Sequence, residues 1–77
     1  QFRNQATASA QLERLTDRER EVLELVMHGL GNKMIADRLG VSVAAVKWHL
    51  QHIYEKLHVH SRTEAALMLR EGQPGKT

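Results

Sequence analysis

The sequence predicts an all-α domain of four helices, over residues 16–28, 32–39, 43–57 and 61–71, and three observations lead there. Apolar residues recur at spacings of three and four in each stretch, the period of a helix buried on one side. Ser, Thr, Asn and Gly stand at the junctions, where helix ends need side-chain or left-handed caps. No stretch alternates apolar and polar residues as a half-buried strand would.

The first helix is carried by "LTDREREVLELVMHG". Thr16 with Glu19 three residues later forms a capping box, and Val22, Leu23, Val26 and Leu30 share one face. Gly29 and Gly31 end it. The second, "NKMIADRLG", takes Asn32 as N-cap and stops at Gly40, whose missing side chain permits a left-handed turn.

Ser42 caps the third helix, so only Gly40, Val41 and Ser42 connect it to the second. A small residue at Ala36 lets a second helix cross closely, and the aliphatic Val46 fills the crossing. That skeleton is a helix-turn-helix. The fourth helix, "SRTEAALMLREG", repeats the capping box with Ser61 and Glu64 and ends before Gly72 and Pro74. Its core side is Ala65 and Leu69, which leaves Thr63, Leu67 and Arg70 outward, with Leu67 either a lone surface leucine or the centre of a small self-complementary patch.

Seventy-seven residues suit a single domain with a core only just sufficient for stability. Residues 12–71 form that domain. The polar, aperiodic "QFRNQATASAQ" at 1–11 is expected to be a flexible linker, and 72–77 a disordered tail. Without cysteine there is neither a disulfide framework nor a thiolate zinc site, which fits a reducing cytoplasm. Apolar runs are far too short for a membrane span.

Net charge is only +2, but it is unevenly placed. Glu13, Asp17, Glu19, Glu21 and Glu24 outnumber Arg14, Arg18 and Arg20 over residues 12–26. From Gly29 to Arg62 the balance reverses, with Lys33, Arg38, Lys47, Lys56 and Arg62. Such polarity suits an anionic partner on one side.

At about 100° per residue, Val46, Leu50, Ile53 and Leu57 of the third helix fall within a narrow arc, with Val43 near it. Trp48 falls nearly opposite. Beside it lie Ala44, Gln51, His52 and Glu55, with Lys47 at one margin. A tryptophan there either covers a neighbouring helix or is held towards a partner. The chemistry around it suits a DNA major groove: lysine donates to guanine, glutamine pairs with adenine, and an apolar surface meets thymine methyls. Glu55 would face phosphates unfavourably, so the N-terminal half of the helix is expected to enter.

His49 and His52 are three apart, with His58 and His60 beyond, yet no carboxylate converges on them to complete a metal site. Polar packing for His49 and a solvent or phosphate role for His52 are the expected readings, with no metal and no cofactor. No cysteine nucleophile, paired inward carboxylates or phosphate-cradling glycine loop is present, and no enzyme is expected.

Four ordered blocks then resemble one family. "LTDREREVL", "GLGNKMIADRL", "SVAAVKWH" and "IYEKLHVHSRTEA" are similar to the DNA-binding domain of the LuxR, FixJ, NarL and GerE superfamily of bacterial transcription regulators, from Leu15 to about Leu69. The resemblance implies sequence-specific binding of double-stranded DNA with the third helix in the major groove. It places Lys47, Trp48 and Gln51 against bases, and Asn32, Lys33 and Ser42 near phosphates; His52 and Lys56 join the expected phosphate contacts. It also implies a homodimer on DNA through the fourth helix at Thr63, Leu67 and Arg70, an upstream sensor or receiver domain as in a response regulator, and RNA polymerase as a partner. Two positions depart from the family pattern: Ala45 replaces a usual threonine, and Gly31 a usual serine or threonine. Two rival functions are the promoter-reading region of a sigma factor, which opens with a similar "LTDREREVLEL" segment, and a protein-interaction module anchored by Trp48.

Overall fold

The structure is a computed structural model that describes residues 10–72. Residues 1–9 of the expected linker over 1–11, and residues 73–77 of the expected tail over 72–77, lie outside the described residues. Four helices follow one another, α1 (Asp17–Met27), α2 (Asn32–Leu39), α3 (Val43–Leu57) and α4 (Arg62–Gly72). A short helical stretch at residues 10–12 precedes them, and no strand occurs among the described residues.

Local chemistry sets most of the boundaries. At the start of α1 the Glu19 N–H donates to Thr16 Oγ1 at 3.1 Å, and the Thr16 N–H donates back to Glu19 Oε1 at 2.9 Å. Two backbone donors with no partner inside the helix are thereby satisfied. At its other end Gly29 takes φ 87°, so that its N–H reaches the Val26 carbonyl and the Leu30 N–H the Leu25 carbonyl. Gly40 closes α2 in the same left-handed region at φ 70°. The Ala45 N–H donates to Ser42 Oγ at 3.0 Å, and α3 spans the expected residues.

Three local expectations need correction. Gly31, not Asn32, is the N-cap of α2, and it makes no side-chain capping bond. The Asn32 side chain is engaged elsewhere: Arg62 Nη1 donates to its Oδ1 at 2.7 Å while Nη2 donates to the Leu30 carbonyl at 2.7 Å. At α4 the Glu64 N–H donates to Ser61 Oγ, but the Glu64 carboxylate accepts from the His60 N–H rather than from that of Ser61. That helix runs through Gly72, one residue past its expected end.

The core is shared by all four helices. Val22, Leu23 and Val26 of α1 meet Ile35 and Ala36 of α2, Val46, Leu50, Ile53 and Leu57 of α3, and Ala65, Met68 and Leu69 of α4. Leu12, Leu15 and Val59 from the connecting segments close its ends. Each fully buried aliphatic contributes about 1.5–3 kcal/mol relative to exposure. Packing is most extensive between α1 and α4, between α2 and α3, and between α1 and α3. Ala36, 3% exposed, allows the close approach of α2 and α3. Leu30 and Val43, both expected at the core, lie at its margin; Leu30 is half-buried and Val43 exposed.

Candidate nucleic-acid interface

The outer side of α3 follows from its inner side. Once Val46, Leu50, Ile53 and Leu57 are drawn inward, helical geometry turns Lys47, Trp48 and Gln51 outward, and all three are exposed. Trp48 retains 58% of its surface, so it does not serve as a cover for a neighbouring helix. Its indole is flanked by two imidazoles, with the His52 centroid at 4.1 Å and the His49 ring edge-on at 5.3 Å.

The expected phosphate-contacting residues divide into two groups. Lys33 and Ser42 are exposed at the N-terminal ends of α2 and α3, where unpaired amide groups suit an anion. Asn32 is half-buried, and its Oδ1 is held by Arg62. His52 is also half-buried, with Nδ1 2.8 Å from the Trp48 carbonyl. A carbonyl only accepts, so Nδ1 carries the proton and donates; a phosphate contact through Nε2 then requires the doubly protonated ring.

Lys56 stands apart. It lies nine residues after Lys47, which turns it about half a revolution to the flank that faces α1. There its Nζ donates to Glu19 Oε1 at 2.7 Å. Glu19 is only 5% exposed, and burial pushes its carboxyl pKa up. Hydrogen bonds from Lys56 and Thr16 outweigh that effect, and the net direction is downward.

On the opposite flank a shallow groove is lined by Asn32, Lys47, Leu50, Gln51, Tyr54 and Arg62. Arg62 builds this corner by joining the loop before α2 to the start of α4. Burial raises the pKa of the Tyr54 phenol, and the nearby Arg62 guanidinium partly offsets the rise. Sequence reasoning gave Arg62 no role beyond positive charge; its place in the "HVHSRTEA" block was the available signal.

Thr63, Leu67 and Arg70 are all exposed, Leu67 at 47%. With Val26, Met27 and Gly29 from the end of α1 they line a second shallow groove, on α4. Among the described residues no three His, Asp or Glu side chains converge as metal ligands. No described helix is long and apolar enough to cross a membrane.

Residues 13–69 match the family of bacterial regulatory proteins designated luxR. The nitrate/nitrite response regulator protein NarL of Escherichia coli (strain K12) is 43% identical over 68 residues, which is 88% of this chain and 32% of that protein. A nitrate/nitrite response regulator protein homolog of Haemophilus influenzae is 45% identical over 60 residues, 78% of this chain and 29% of the relative. The monoamine regulon transcriptional regulator of Klebsiella aerogenes is 46% identical over 50 residues, 65% of this chain and 22% of the relative. The chain thus spans a third or less of the length of these relatives.

Proposed function

Since the chain belongs to the luxR family of bacterial regulatory proteins and is a helix-turn-helix DNA-binding domain of transcription regulation, we propose that it reads duplex DNA by laying the N-terminal half of α3 in the major groove. One observation carries this reading: Lys47, Trp48 and Gln51 are exposed together on a helix whose reverse side is wholly buried. Lys47 donates to guanine, Gln51 pairs with adenine, and the Trp48 indole presses on thymine methyls. Lys33, Ser42 and Asn32 hold phosphates and set the register, while His52 keeps its Nδ1 on the Trp48 carbonyl. Lys56 reaches a phosphate only by leaving Glu19, so its contribution is the smallest of the set.

Two copies bind paired half-sites through Thr63, Leu67 and Arg70 on α4, whose exposed Leu67 beside an apolar groove suits a self-complementary contact. In the full-length protein a receiver or sensor domain controls this domain, and RNA polymerase is the partner through which transcription responds. The chain acts in the cytoplasm and catalyses no reaction.

The test is selection from a random duplex pool at two salt concentrations, with the Lys33→Ala variant in parallel. One enriched motif, affinity falling steeply with salt, and a salt slope lower by about one in the variant are expected. Absence of any motif together with salt-independent affinity would overturn the reading.

A further inference from the structure

We infer that His52 is a positioning residue for Trp48: it holds the indole in one orientation on the outer face of α3, and so makes one base position selective. This rests on the proposal that the face enters the major groove. An indole that is 58% exposed has little packing of its own to fix its rotamer. A ring free to swing would meet several bases and discriminate among none.

The surroundings of Trp48 restrict that freedom. His52 lies one turn further along the same helix, where side chains four apart are neighbours. Its ring centroid is 4.1 Å from that of the indole, with the planes inclined at 41°. The imidazole is fixed in turn, because Nδ1 donates to the Trp48 carbonyl at 2.8 Å. His49 adds an edge-on contact at 5.3 Å and 76°, and it is half-buried. The indole is therefore in contact with two imidazoles.

A comparison within the molecule separates the parts of this arrangement. His28 makes the same backbone contact, from Nδ1 to the Glu24 carbonyl at 2.7 Å, with no aromatic ring four residues before it. The hydrogen bond thus forms at His28 without a ring contact and is absent at His49, whose Nδ1 has no partner, whereas the ring contact belongs to the Trp48 and His52 pair. Ordering a side chain before binding removes that cost from the complex, and only the correctly matched base then gains the full contact.

Trp48 is the single tryptophan, so its fluorescence reports on this one ring. Time-resolved anisotropy of the free chain should show a restrained indole that gains sub-nanosecond motion in His52→Ala and is restrained again in His52→Phe, which restores a ring without the hydrogen bond. In duplex selection His52→Ala should relax preference at one base position by on the order of three- to tenfold, and His52→Phe should recover it. Equal weakening on every duplex, with a lower salt slope and an unchanged motif, would make His52 a phosphate ligand and overturn the inference. So would unchanged anisotropy in His52→Ala. If the unmodified chain selects no motif, the groove reading fails and the specificity role fails with it, while the anisotropy still decides whether His52 restrains the ring.

Discussion

The two sides of α3 are built from the same fifteen residues and answer to different demands. The inner side consists of Val46, Leu50, Ile53 and Leu57, none more than 5% exposed, and any loss there is a loss of folding energy. The outer side carries Lys47, Trp48 and Gln51, which contact little of the domain. The fold therefore tolerates change on one side of this helix, the side to which we assign specificity, while the other side admits almost none. Separation of stability from recognition is what allows one scaffold to serve many DNA sequences.

The strongest way to break that contrast is through the inner side. Ile53→Ala is expected to cost about 2–5 kcal/mol of stability, read by urea denaturation. In a domain this small that is a large share of the total. Any DNA affinity it loses should return when the folded fraction is restored by cooling or an osmolyte. Persistent loss of selectivity in folded protein would show that the two sides are coupled.

Gln51→Ala sharpens the contrast from outside. It should leave the urea midpoint unchanged and cost about 1–3 kcal/mol on the preferred site, with relaxed choice at one position. Competition binding against single-base variants of that site measures both. A shift in the denaturation midpoint would contradict the separation.

The flank between the two sides gives a smaller and pH-dependent effect. Glu19 has its folded pKa below the ordinary value of 4.5, so its stabilisation is complete above that value and is lost as pH falls below it. In Lys56→Met the carboxylate keeps its burial but loses its ammonium donor. The expected cost near neutral pH is about 1–2 kcal/mol, moderated because Lys56 is itself a third exposed. Acid unfolding, followed by circular dichroism, should then begin at higher pH than in the unmodified chain. An unchanged acid transition would mean that Thr16 alone keeps Glu19 ionised.

The smallest effect expected is at the end of α3, on neither side. His58 caps the helix in the left-handed region at φ 57°, where a Cβ is unfavourable. His58→Gly should raise the thermal midpoint by the equivalent of about 1 kcal/mol or less, without altering DNA selectivity. A destabilised variant would show that the imidazole holds the turn by contacts of its own.

Much of the architecture is legible in local residue choices. Thr16 with Glu19, Ser42 and Gly40 each act within one helical turn, and the boundaries they imply agree with the structure to within a residue. His58 escaped notice because left-handed caps are read from glycine, and here a histidine adopts one. Asn32 has the side chain of an N-cap, yet Gly31 takes that place and the Asn32 side-chain amide is bound by Arg62, thirty residues away. Met68 lies fully buried beside Leu69, although the helical spacing predicts only Ala65 and Leu69 on the core side of α4.

The candidate site divides along the same line. The outward placement of Lys47, Trp48 and Gln51 follows from helical period alone, because burying four aliphatic residues on one arc leaves these three no other direction. Period and caps act over a few residues and can be read along the chain. Whether a charge is free or already paired depends on which segments the fold brings together. Lys56 next to Glu19 and Arg62 bridging Asn32 and Leu30 are set when helices pack, by contacts between residues about thirty or more apart in sequence.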